Sequence, residues 1–299
     1  MFKNACVFSI DEPVINLDVA EELLTEREIR EIGSTELCIH GWTPVINEKF
    51  AESVTNGLFF RMATKEKILP ASIVKDEINK SIAAAEEYLG RVLTKQERAE
   101  HKEAILLRMA AVALVKQTFI DGFLNNDFLV VDTASPSKAE DFASLLRKTL
   151  GSLKATPLTA VNDIKSVLTD WAIDSENVPV HLERTGSYLI KLDEENKKVR
   201  MQGFVDGESL GAEGYAEAGG IILEMSLNYS ERIDFSITDG FVLKKIDYGY
   251  IETDDSEEDQ YLIDLAELEL TSGELTELIK QLVVDFGRQP INIEAESAE

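Results

Sequence analysis

The chain has 299 residues, 44% of them hydrophobic and 29% charged, and a formal net charge of −26. No apolar run reaches the ~18 to 20 residues that a membrane-spanning helix needs, and the composition is that of a globular chain of one to three domains. The charge is uneven: residues 61–154 hold 15 Lys/Arg against 13 Asp/Glu, net +2, and the other 205 residues hold 15 against 43, net −28. Such a pattern bears on solubility and polyanion contact rather than on fold.

The N-terminal MFKNACVFSIDEPV has one Lys and a short apolar run, without a signal peptide's long apolar region or cleavage site, which predicts a cytoplasmic location. A strand is predicted over residues 5–10, a helix over 19–28 and an extended segment over 57–63. After Pro70 the pattern turns helical to about Leu114. Ile73, Ile78, Ile82 and Leu89 mark the apolar face of one helix, and Ile105, Leu106, Met109 and Val112 that of a second. Gly90 ends the first, and Thr94-Lys95-Gln96-Glu97 is a capping box that starts the second, so a helical hairpin is expected.

Segments 115–120 and 128–133 flank Asn125-Asn126-Asp127, whose side chains tolerate positive φ, and predict a β-hairpin. A helix follows with Ser135 or Ser137 as its cap, Ala139, Phe142, Leu145, Leu146 and Leu150 on its apolar face, and Gly151 as a left-handed stop. A short helix is expected over 161–171. Strands are predicted at 180–183, 188–192, 199–205, 221–229, 233–237 and 241–246, with turns at 193–198, 229–232 and 238–240. An acidic loop, 254–259, precedes a last helix that Thr271 and Glu274 would cap and Gly287 would end, and the tail after Pro290 is expected to fray.

Catalytic chemistry finds little support. His40, His101 and His181 have no metal-ligand spacing, Cys6 and Cys38 read as buried free thiols, and the glycines from Gly203 to Gly220 fit no phosphate loop. The 254–259 run lacks the alternating ligands and central Gly of a calcium loop, which favours a solvated acidic loop. The basic residues say more. Lys95, Arg98 and Lys102 fall on one face of the second hairpin helix, where a polyanion backbone could lie; the alternative is a solvated face offset by Glu97, Glu100 and Glu103. Arg147 and Lys148 near a helix end also complement its dipole.

Several motifs carry a family resemblance. They are Gly41-Trp42 with Pro44, Glu66-Lys67-Ile68-Leu69-Pro70, Lys138-Ala139-Glu140-Asp141 through Leu145-Leu146-Arg147-Lys148-Thr149-Leu150-Gly151-Ser152-Leu153, Leu168-Thr169-Asp170-Trp171, and Leu270-Thr271-Ser272-Gly273-Glu274-Leu275. In this order they resemble the RdgC family of recombination-associated proteins over nearly the whole chain. The resemblance implies a ring-shaped homodimer whose hole encloses double-stranded DNA with little sequence preference, limiting access of the RecA recombinase. It implies a nucleoid-associated cytoplasmic protein, no enzyme, no metal and no cofactor. The candidate phosphate contacts are Lys67, Arg98, Lys102, Lys116, Arg147 and Lys148. Two places depart from the family pattern: Ala110, Val112 and Leu114 stand where it has an aromatic residue flanked by arginines, and Met201-Gln202-Gly203-Phe204 follow Val199-Arg200 where it is Lys-rich.

The expected fold class is α+β: a mixed central domain of 1–67 plus 115–175, an inserted helical hairpin at 68–114, and a strand-rich α+β domain at 176–299. A reading from another class is an acidic DNA mimic that binds a recombination protein directly, suggested by the net charge of −26.

Overall fold

Residues 5–8 alternate between two hydrophobic environments: Ala5 and Val7 enter one core, Cys6 and Phe8 the other. That period of two is what a central strand with apolar matter on both faces requires. The computed structural model, which describes residues 1–11, 17–192, 197–203, 211–249 and 260–287, makes this segment β1 (Asn4–Ile10). The acidic run 254–259, the tail after Pro290, the turn residues 193–196 and the end of the expected 199–205 strand lie outside the described residues.

On one side of β1 lie β6 (Phe128–Val131), β5 (Val115–Leu124), β4 (Gly57–Lys67) and β2 (Cys38–Thr43). On the other lie β12 (Val242–Asp247), β11 (Ile233–Thr238), β10 (Ile221–Tyr229), β8 (Leu182–Lys191) and β9 (Lys198–Met201). The short strands β3 (Ala51–Val54) and β7 (Ala155–Pro157) add to β4 and β1. Every pairing between these strands is antiparallel, and the sheet is continuous across residue 175 because β1 bonds to both β6 and β12. The described residues are thus α+β.

Helices α5 (Ile164–Ile173), α6 (Ala212–Glu217) and α7 (Gln260–Asp285) contribute Leu168, Trp171, Ala216, Leu275 and Leu282 to the first core. Helices α1 (Leu17–Thr25) and α4 (Pro136–Leu150) contribute Ala20, Leu24, Phe142 and Leu146 to the second, on the opposite face. Each buried Phe or Leu contributes ~1.5–3 kcal/mol. Gly122 makes the α4 contact possible, since a Cβ there would meet the Phe142 ring at 2.6 Å. The second core ends at Val242; beyond it the same face of β8 to β12 carries polar residues and no core residue from a described helix.

Several expectations need correction. The Asn125-Asn126-Asp127 turn uses no positive φ; Asn125 Oδ1 instead accepts from the N–H groups of Asp127 (2.9 Å) and Phe128 (2.7 Å), closing the turn by side chain. Ser135 holds the N-cap position of α4 without a side-chain cap bond, and Pro136 begins the helix with its preset φ. Thr271 caps nothing, because α7 runs through it: the face of Leu275, Leu278 and Ile279 continues back to Leu268 and Leu265, and burial overrides the local cap pattern. Cys38 is exposed, at the start of β2 opposite the exposed Glu66. Strands 180–183 and 188–192 are one strand, β8, while β2, β3, β7 and α6 had no predicted counterpart.

Candidate nucleic-acid interface

The near-neutral segment begins in β4 and contains α2 (Ala71–Leu89) and α3 (Lys95–Val112), which pack chiefly on each other. Gly90 closes α2 in the left-handed region at φ 62°. Thr94 Oγ1 accepts from the Glu97 N–H while Glu97 Oε2 accepts from the Thr94 N–H at 2.8 Å, the reciprocal box expected. Arg91 completes it, and its guanidinium, followed by the Thr94 donors, holds the Glu97 carboxyl down at about 2. The hairpin has little interior. No α2 residue is buried, α3 buries only Ile105 and Ala110, and Ser81 Oγ meets His101 Nδ1 at 3.0 Å between the helices.

The six candidate cations fall into three groups. Lys67 is 8% exposed and donates from Nζ to the carbonyls of Ala110 (2.5 Å) and Ser34 (3.2 Å), which fastens the end of α3 to β4 and to the segment before β2. Arg98 and Arg147 are exposed yet engaged. Arg98 pairs with Glu86 at 2.8 Å and donates to Leu93 O, whereas Arg147 donates to the carbonyls of Leu153 (3.0 Å) and Ala155 (3.4 Å), tying α4 to the chain that follows it. Lys102, Lys116 and Lys148 are exposed and have no ion-pair partner among the described residues.

The same contrast runs through the hairpin. Arg91, Arg98 and Arg108 are each paired with a glutamate, Glu97, Glu86 and Glu77 respectively. Lys75, Lys95 and Lys102 are not paired among the described residues. Lys80 of α2 is the exception, paired with Glu77 at 3.0 Å, and of the three arginines Arg91 alone grips both oxygens of its carboxylate in the planar fork that favours a guanidinium over an ammonium. On β4, Lys65 is taken by Glu31 at 2.6 Å, and Arg61 forks onto Asp121 of β5 at 2.6 and 2.9 Å, which raises the affinity of its guanidinium for its proton.

Apolar side chains stand exposed where the hairpin meets the sheet: Val112 at 84%, Leu114 at 78% and Phe119 at 56%. The sequence pattern puts Val112 on the packed face of α3, but no described element covers it there. A further set of cations that the sequence reading did not single out, Lys191, Lys198, Arg200 and Lys244, lies in the other half of the sheet. Their strand register brings them together, and sequence spacing alone would reveal only Lys191 opposite Lys198 once the β8–β9 hairpin was counted out. Among the described residues no three His, Cys, Asp or Glu side chains converge as a metal site, and no helix is long and apolar enough to cross a membrane.

Residues 1–289 match the family described as "Putative exonuclease, RdgC". The chain is 28% identical over 299 residues to the recombination-associated protein RdgC of Sodalis glossinidius, covering 96% of this chain and 97% of that protein. It is 30% identical over 300 residues to the protein of that name from Yersinia pestis, with coverage of 96% and 97%. The Pseudoalteromonas atlantica protein of that name is 29% identical over 306 residues, with coverage of 96% and 98%. The chain belongs to the RdgC family.

Proposed function

We propose that this RdgC-family member binds double-stranded DNA without sequence specificity, encloses it as a ring-shaped homodimer, and limits the access of a RecA-type recombinase at the nucleoid. The relatives' name supports a role in recombination. The observation that carries the DNA reading is the set of exposed lysines without an ion-pair partner among the described residues, Lys102, Lys116 and Lys148, in the one segment spared the chain's acidity. Lys67 drops out as a phosphate contact, because its ammonium is spent inside the protein; Arg98 and Arg147 would first have to leave their present acceptors.

The exposed Val112, Leu114 and Phe119 support self-association, since a second copy laid against the base of the hairpin would remove them from water. A dimer presenting three lysines per protomer makes about six phosphate contacts, and phosphate-driven affinity then falls about 10³-fold between 50 and 200 mM salt. A fluorescence titration of labelled duplex at those two salts tests the reading, with sedimentation of the free protein as the check on the dimer. No binding at the lower salt refutes DNA enclosure.

The acidic-mimic reading has one observation in its favour: the net −28 outside residues 61–154. A recombinase captured by this protein in the absence of DNA, at low but not high salt, would select it instead.

A further inference from the structure

The face of the β8–β12 half of the sheet that no described helix covers carries a charge arrangement that strand pairing alone disfavours. Lys191 of β8 stands directly opposite Lys198 of β9, and like charges at directly opposed positions repel. Neither has a carboxylate partner among the described residues. Arg200 lies two residues along β9 from Lys198, so it shares that face; its opposite number is Leu189, while Tyr188 and Ile190 on either side of Leu189 enter the first core. Glu224 of β10, opposite Leu189 in turn, is only 7% exposed. Its two oxygens take Lys244 Nζ of β12 at 3.0 Å and Arg200 Nη1 at 3.5 Å.

Three strands, β8, β9 and β12, therefore deliver four cations to one face, and among the described residues β10 sets one buried carboxylate, Glu224, against them. A buried carboxylate is tolerable only when paired, and this pairing holds Arg200 and Lys244 side by side while most of their N–H donors stay uncommitted to Glu224. The repulsion between Lys191 and Lys198 would be relieved by an anion seated between them. Lysines on an edge strand have another use, since they discourage sheet-to-sheet aggregation. That role accounts for Lys198 on the edge, but not for a second lysine placed opposite it on β8, nor for the buried Glu224 that gathers two more cations beside them.

We propose that Lys191, Lys198, Arg200 and Lys244 form a phosphate-binding patch for the duplex backbone, distinct from the lysines of α3, β5 and α4. The inference rests on the DNA-binding reading above and extends it to the other half of the sheet. Its test is the salt dependence of binding of a labelled ~30 bp duplex to the full-length protein, wild type against Lys191→Gln/Lys198→Gln, with the thermal midpoint of each. Each lost phosphate contact lowers the slope of log K against log salt by about 0.9, so the double variant is expected to lose about 1.8 per protomer. Its midpoint stays equal or rises as the repulsion is removed. Arg200→Gln, at a half-exposed side chain, gives an independent loss of about 0.9.

Unchanged slopes in both variants overturn the patch while leaving DNA binding intact. Unchanged slopes accompanied by aggregation of the double variant also overturn it and assign the lysines to edge protection. A wild-type protein that binds no duplex at low salt overturns the DNA reading and the patch together.

Discussion

Lys67 offers the sharpest separation between a residue that builds the site and one that touches the ligand. Replacing it by Met keeps the stem and most of the volume but deletes an ammonium that donates to Ala110 O at 2.5 Å and Ser34 O at 3.2 Å in a position 8% exposed. Ala110 lies in the last turn of α3, where its carbonyl takes only a long bond from the Ala113 N–H (3.4 Å) and a cation is favoured. A hydrogen bond to a charged group is worth ~1.5–3 kcal/mol. Two such bonds, less the desolvation that the buried ammonium no longer suffers, put the expected loss at about 2–3 kcal/mol. Urea unfolding should show it as a lower midpoint at constant slope. The salt slope of DNA binding, measured on folded protein, should not move. A Lys67→Met protein of wild-type stability whose salt slope had dropped by about 0.9 would refute the reasoning and return Lys67 to the phosphate contacts.

Two further predictions concern elements that frame the site. Trp42 Nε1–H donates to Thr149 Oγ1 at 2.8 Å, and that hydroxyl donates on to Leu145 O at 2.9 Å, all inside the second core. Thr149→Val keeps the shape and orphans the indole N–H, so a loss of about 1–3 kcal/mol is expected; a change under about 0.5 kcal/mol in denaturant unfolding would mean that the bond contributes little. Glu97 is held at about 2 by Arg91 and Thr94, below the ~4.3 of a free glutamate. A lowered folded pKa stabilises above the unfolded value and loses that contribution as pH falls through the folded one. The gap in thermal midpoint between wild type and Glu97→Gln should hold from pH 7 to about 5 and close between about 4.5 and 2. A gap independent of pH would contradict the charge-linked cap.

At several places local chemistry foretold the structure. Gly90, the Thr94–Glu97 box and the β-rich bounds of 221–229 depend on residues within a few positions of one another, and each took the expected form. The α7 start went the other way, because Thr271 and Glu274 reproduce a cap signature inside a segment that burial keeps helical from Gln260 onward. Strand β2 escaped notice for a similar reason. Cys38-Ile39-His40-Gly41-Trp42-Thr43 has no clean alternation, and it becomes a strand by pairing with β4 on one side and with the chain around Arg27 and Ile29 on the other. Gly41 is needed there, since a Cβ would come within 2.6 Å of Ile29 Cα.

The candidate site was legible as a region and illegible as a set of hands. Segment charge located it, but which cation is free depends on partners far away in sequence: Lys67 on Ala110 across 43 positions, Lys65 on Glu31 across 34, Arg98 on Glu86 across the hairpin. None of these follows from spacing on one helix.

That division bears on how an acidic protein could hold an acidic ligand. The hairpin arginines, which would make the strongest phosphate forks, already sit on Glu77, Glu86 and Glu97, so a phosphate must compete with a carboxylate held in place at no cost in translational entropy. Lys102, Lys116 and Lys148 face no such competitor among the described residues and are left to make point-charge contacts, individually weak and strongly screened by salt. On the proposed reading, a closed ring makes weak contacts sufficient: once the duplex is threaded, it need not be gripped to be retained, and a loose grip lets the ring move along it. The intramolecular carboxylates then act as a limit on affinity, keeping the protein on DNA by enclosure rather than by charge.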